Sequence, residues 1–312
     1  MTLEYLFGPV PSRRLGLSLG VDLVPHKTCS LNCVYCECGP TTRLSIDRRE
    51  WVPTPAVISE LDRFLEPGPR LDFVTFSGSG EPTLHKDLGK VARHIKQRHP
   101  AYQVALLTNG TLLFRPDVAA DAMAADVVMA SLDAGTPEAF QAVNRPHPQL
   151  DLEMVVRGLE DFSRGYTGEL WLEVFLVPGL NDSAAQMKAV RRAAGRIQNA
   201  RVVINTLDRP GAEAWVQPAP AGVVEHARRL LGGEAPGAAG REAKAPGAEV
   251  DRDRLLHTIR RRPCTEQDLV SAFAAEPERI RNILLSLERE GRIQKEMSWR
   301  GVFYRTANEP AP

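Results

Sequence analysis

Phe73-Val74-Thr75-Phe76-Ser77-Gly78-Ser79-Gly80-Glu81-Pro82-Thr83-Leu84 passes from four strand-forming residues into a glycine-rich turn, and apolar side chains then recur at helical spacing over 86–98. A short apolar strand, a turn and a helix make the unit of a parallel sheet, because parallel neighbours need a long crossover to return the chain. The unit recurs. Strand-like segments at 19–23, 73–76, 103–108, 127–131, 170–177 and 201–205 alternate with helix-like ones, among them 55–64, 86–98, 151–162 and 183–197. Near-continuous apolar strands are buried on both faces, so six such units predict an α/β fold, a partial (β/α)6 TIM-like barrel. In such folds the carboxyl ends of the strands face the active site, and the polar residues there carry the functional weight.

The chain has 312 residues, room for a catalytic domain and a small accessory one. Residues 1–231 fit the barrel. Residues 232–250 are rich in Gly, Ala and Pro with few large apolar groups and read as a flexible linker. Beyond it, helices are expected over 251–261, after Thr265 with Asp268 as a capping box, and from Pro277 to Gly291. Two short strands at 292–295 and 302–305 follow. Three helices and a hairpin over 251–312 resemble a winged-helix domain. Formal net charge is zero, so any polyanion site must be local. No apolar run approaches the roughly 20 residues that span a bilayer, and residues 1–5 lack a signal pattern, so a cytoplasmic protein with no membrane partner is expected.

Between the first strand and the first helix lies Lys27-Thr28-Cys29-Ser30-Leu31-Asn32-Cys33-Val34-Tyr35-Cys36. Cys29, Cys33 and Cys36 on one loop can hold three irons of a 4Fe–4S cubane and leave the fourth iron open to a small molecule. A zinc loop is the alternative reading of the spacing alone. Four of the five cysteines fall between Cys29 and Cys38, too clustered for a disulfide framework and suited to a reducing compartment. Cys38 is a spare ligand, a reactive thiol or an inert small hydrophobe. His26 and His85 flank the loop and the glycine turn without claiming a role.

The cysteine spacing, Tyr35 before the last cysteine, and Ser79-Gly80-Glu81 at a strand end resemble the radical S-adenosylmethionine (SAM) superfamily over about residues 8–207. The family carries a Gly-Gly-Glu-like motif at this place, with Ser79 here in place of the first glycine. The resemblance implies that Ser79, Gly80 and Glu81 meet the amino group of SAM's methionine moiety, Glu81 as an anionic acceptor. Ser131 and Asp133 then suit its ribose, Arg145 its carboxylate, and Val177 its adenine. Asn109, Asn205 and Thr206 have weaker claims, since turn chemistry also explains such residues. Cofactors implied are a 4Fe–4S cluster and SAM, with a flavodoxin or ferredoxin as reductant. Reductive cleavage of SAM would give a 5′-deoxyadenosyl radical that abstracts hydrogen from a substrate; no catalytic residue is assigned.

Residues 8–22 look most like wyosine-synthase-related members, although no cysteine precedes Cys29 to hold the second cluster of those synthases. The substrate stays open among RNA, a peptide or a metabolite. Arg279, Arg281, Arg289, Lys295, Arg300 and Arg305 would let a winged helix meet nucleic acid. Yet residues 251–312 carry twelve Lys or Arg against ten Asp or Glu, a weak phosphate footprint, so peptide or protein docking is equally open. The competing class is an iron–sulfur redox-sensing regulator that binds nucleic acid without catalysis.

Overall fold

A computed structural model describes residues 3–12, 14–234, 250 and 252–307. β1 (Leu6–Ser12) folds back on β2 (Gly16–Val21) as an antiparallel hairpin. The cysteine loop beyond it carries a two-residue ladder, β3 (Thr28–Cys29) beside β4 (Arg43–Leu44). β2 then pairs in parallel with β5 (Phe73–Phe76), which is followed in sheet order by β6 (Gln103–Thr108), β7 (Val127–Ser131), β8 (Glu169–Leu176) and β9 (Ala200–Thr206). Sequence order and spatial order coincide, so six parallel strands make the expected partial barrel, with β1 and β9 at its edges.

The crossovers are α1 (Thr54–Leu65), α2 (Leu88–Arg98), α3 (Pro116–Ala122), α4 (Pro137–Asn144) with α5 (Leu152–Gly165), and α6 (Ala184–Ala194); α7 (Ala221–Leu231) follows β9. Their starts are written in the sequence. Thr136, Asp151 and Ser183 each accept a backbone N–H of the first turn at 2.8 to 3.3 Å, a cap worth about 0.5–2 kcal/mol. The outward strand residues Val74, Val104, Val128 and Leu172 pack against Val91, Ile95, Leu159 and Phe162 in the main core.

Inward residues alternate with these. Phe73, Ala105, Val127, Met129, Trp171 and Val203 fill the amino-terminal end of the barrel, and Leu15 enters among them from the β1–β2 turn. Above them lies a polar girdle: Ser18 and Thr75 share a 2.6 Å hydrogen bond, and Glu173 pairs with Arg14 while accepting from Asn205 at 3.0 Å. At the carboxyl end Val34, Val143, Phe175, Val177 and Leu207 form a separate apolar cluster against Tyr35.

The carboxy-terminal module runs α8 (Arg252–Arg261), β10 (Cys264–Thr265), α9 (Glu266–Phe273), α10 (Pro277–Arg289), β11 (Ile293–Ser298) and β12 (Gly301–Thr306). Its strands lie in the order β10-β12-β11, and it has its own core around Leu255, Ile259, Leu269, Ile280, Leu284 and Leu287. The capping box forms as expected: Thr265 Oγ1 accepts from Asp268 N, and the Asp268 carboxylate accepts from Thr265 N. The module rests on the barrel through Arg209, whose guanidinium donates to Pro263 O at 2.9 Å and Asp268 Oδ2 at 2.6 Å. Arg300 reaches back to Asp208 and Asp268, Arg261 to Asp22, and Arg254 to Gly8 O.

Several bounds differ from the sequence reading. The first barrel strand is Gly16–Val21 rather than 19–23, and β1 was not anticipated, because Pro9 and Pro11 argue against a strand; an edge position tolerates them. Helices α3 and α7 were also not expected. Of the expected linker, Gly232 caps α7 and Glu234 bridges Val203 on β9, while 235–249 lie outside the described residues. No helix among the described residues is long and apolar enough to cross a membrane.

Candidate active site

The glycine turn after β5 and the cysteine loop are clamped together. Lys27 N donates to Ser79 O at 2.8 Å and Glu81 N to Thr28 O at 3.0 Å. A Cβ on Gly80 would sit 2.3 Å from Thr28 O, so only glycine lets the turn approach β3 this closely. Gly78 has φ +140, a conformation side chains resist. Cys29 closes β3. On the other side, Asn32 N donates to Asn144 O and Val34 N to Val143 O, which seats the Cys33 segment on the end of α4.

Each cysteine of the loop has a polar neighbour. Asn109 Nδ2 lies 3.5 Å from Cys29 Sγ, Asn144 Nδ2 lies 3.4 Å from Cys33 Sγ, and the buried Lys27 ammonium donates to Cys36 Sγ at 3.0 Å. Burial, then the nearby Glu81 carboxylate, pushes the Cys29 thiol up to about 12, and burial with Asp133 raises Cys33. Cys36 is lowered instead, first by the Cys38 thiol beside it and then by Lys27. A metal centre inverts this pattern, since coordination deprotonates a thiol outright.

The spread of the sulfurs tests which centre fits. Among the described residues, only Asp62, His94 and His99 bring three ligating atoms within 4.8 Å of one another, on the outer helices α1 and α2. At least one pair among the three cysteine sulfurs is therefore more than 4.8 Å apart, beyond the roughly 3.8 Å separation that a tetrahedral ion with 2.3 Å Zn–S bonds imposes. Three thiolates set apart on one loop match separate corners of a cubane.

The carboxylates expected at the cofactor turn out to be committed to the protein. Glu81 Oε1 accepts from Thr83 N at 3.0 Å and from the Thr83 and Thr108 hydroxyls at 2.6 Å, while Oε2 accepts from Asn109 N at 2.7 Å. Glu81 ties the glycine turn to the end of β6. Its pKa is raised by burial, against the pull of these donors. Asp133 accepts from Tyr35 Oη at 2.6 Å, Asn144 Nδ2 at 2.7 Å and Phe175 N at 2.8 Å, so it orients Tyr35, whose ring stacks on Phe175 at 3.9 Å. Ser79 Oγ donates to Asp22 at 3.0 Å.

The remaining expectations divide. Val177 is buried in the apolar cluster beside Tyr35, with its N–H on Asn181. Ser131 forms no side-chain hydrogen bond among the described residues and lies in register beside Glu173, facing the polar girdle. Arg145, at φ +44, pairs with Glu213 at the surface. Asn205 joins the girdle, and Thr206 Oγ1 accepts from Ala219 N at 2.6 Å. His85 is spent on Val52 O and Asp87 N. Lys27, Asn144 and Glu173 are the site residues the sequence did not single out. Asn144 directly precedes Arg145, but its contact with Cys33 spans 111 residues and leaves no local signature.

A family model for the Radical SAM superfamily matches residues 23–189. The chain is 33% identical over 298 residues to a protein of Brachyspira hyodysenteriae named GTPase Obg, covering 94% of this chain and 44% of that one. It is 38% identical over 213 residues to a UPF0026 protein of Helicobacter pylori, covering 67% of this chain and 68% of the relative. The chain thus spans under half the length of the first and about two thirds of the second. In fold it is similar to a radical SAM methyltransferase from Sphaerobacter thermophilus, with TM-score 0.54, 17% identity, and coverage of 70% of this chain and 65% of that one.

Proposed function

Because this chain belongs to the radical SAM superfamily, we propose that it is an enzyme that cleaves SAM reductively to start hydrogen abstraction from a substrate held at the barrel mouth. Members bind a 4Fe–4S cluster and SAM, and these are its cofactors. When bound, the cluster supplies the electron that breaks SAM into methionine and a 5′-deoxyadenosyl radical. The chain's own residues hold and shield that chemistry. Cys29, Cys33 and Cys36 hold three irons, and Lys27 sets a positive charge against the Cys36 sulfur. Glu81 and Asp133 are positioning residues: the first fixes the glycine turn, the second Tyr35 and Asn144. Ser131 offers an uncommitted hydroxyl to a ribose, and Val177 an apolar wall to adenine. The buried cluster of Val34, Phe175 and Leu207 keeps water from the mouth.

One observation carries the reading: a three-cysteine loop clamped to the glycine turn at the carboxyl ends of a parallel barrel. The test is anaerobic reconstitution followed by SAM and dithionite. Formation of 5′-deoxyadenosine is expected, and a fully iron-loaded preparation that forms none would favour the redox-sensing regulator.

We place the chain near wyosine-synthase-related members on residues 8–22, take 1–231 as catalytic domain and 251–312 as a winged-helix-like domain, and expect a flavodoxin or ferredoxin donor in the cytoplasm. Charge pairing favours a docking role for the small domain over reading of nucleic acid. Arg281 pairs with Glu266, Lys295 with Glu288, Arg305 with Glu296, and Arg300 with Asp208 and Asp268. Four of the six cations expected to meet a phosphate backbone are thus held in ion pairs.

A further inference from the structure

Asp62 stands in the last turn of α1, His94 lies within α2, and His99 is the residue that closes α2. Both imidazoles converge on one carboxylate oxygen: His94 Nε2 and His99 Nε2 each lie 2.8 Å from Asp62 Oδ1. The two nitrogens and the oxygen fall within 4.8 Å of one another, and all three residues are half-buried. We propose that this trio binds a zinc ion, which staples the end of α1 to the end of α2. The site is independent of the enzymatic reading.

The donor set selects the ion. Two imidazole nitrogens and one carboxylate oxygen suit zinc and its transition-metal neighbours, whereas magnesium and calcium take oxygen ligands. Bonds of about 2.0–2.2 Å around a tetrahedral ion set neighbouring ligand atoms roughly 3.3 Å apart. Two of the three edges already measure 2.8 Å, and the third starts from no more than 4.8 Å. Rotation of two partly exposed imidazoles about their side-chain torsions supplies the remaining shift. The same partial exposure leaves the fourth position to water. Position favours a cation as well, because the carboxyl ends of α1 and α2 meet here and each carries the negative pole of its helix. These helix ends lead into β5 and β6, so the trio lies at the amino-terminal end of the barrel, opposite the cysteine loop. The ion therefore braces the frame and takes no part in the SAM chemistry. On the same helix Glu60 accepts the backbone N–H groups of Glu4, Tyr5 and Leu6 at 3.0 to 3.3 Å, so fixing α1 also fixes the start of the edge strand β1.

The experiment is calorimetric titration of the anaerobic, cluster-loaded protein with zinc chloride, iron content being measured before and after to show that the cluster stays in place. One zinc should bind per chain. His94→Gln and His99→Gln keep a side-chain N–H for Asp62 but lose the ligating nitrogen, so each should bind zinc at least about tenfold more weakly. In chelator both should melt close to the parent. Zinc at about 100 times its dissociation constant should raise the melting temperature of the parent by about 5 °C and leave the glutamine variants unmoved. His226→Ala, exposed on α7, should bind zinc as the parent does. Absence of zinc binding, equal affinity in the glutamine variants, or magnesium bound as tightly as zinc overturns the site and leaves the trio as hydrogen-bonded side chains. Zinc binding lost in Cys38→Ala overturns it too, by assigning the ion to the cysteine loop.

Discussion

Glu81 and Asp133 look like ligand-binding carboxylates in the sequence, and each also accepts from donors of its own protein: Thr83, Thr108 and Asn109 for the first, Tyr35, Asn144 and Phe175 for the second. A buried carboxylate with three or four donors is a rigid joint, because losing any one leaves a polar group unpaired at about 1–3 kcal/mol. The sulfurs are the groups left for a metal centre. Cys33→Ala should therefore abolish iron binding on reconstitution, whereas Cys38→Ala, outside the three-cysteine spacing, should keep nearly full iron content. Equal iron loss in the two variants would place Cys38 among the ligands.

At the scale of elements, Gly80 ties the barrel to the cysteine loop. A methyl group there meets the Thr28 carbonyl at 2.3 Å, so Gly80→Ala must push β3 away and carry Cys29 with it. The expected outcome is a folded protein, by circular dichroism, that loads much less iron; full loading would mean that the turn yields instead of β3. The order of strands was legible because apolar strands and helical spacing are local signals, and so was the Thr265 capping box. The hairpin strand β1 was hidden by Pro9 and Pro11. The orientation of Glu81 was hidden too, since Thr108, which helps decide it, lies 27 residues further on. Contacts of Asn144 with Cys33 and of Arg14 with Glu173 depend on closure of the barrel, which no local pattern encodes.

For the whole molecule, the junction between barrel and module depends on Asp268, which meets Arg209 and Arg300 together. Burial alone would raise its pKa; Arg209, the Thr265 N–H and Arg300 overcome that and hold it at about 2. A folded pKa below the unfolded one means stability present above about pH 4 and lost as pH falls toward 2, a contribution of roughly 2 kcal/mol. The urea midpoint of the apoprotein should exceed that of Asp268→Asn above pH 4.5, and the gap should close on acidification; a gap independent of pH would deny Asp268 this role. Leu15 has a different consequence. Its side chain packs among Met129, Trp171 and Val203, so the chain's own turn plugs the barrel floor and leaves the amino-terminal end no room for a ligand.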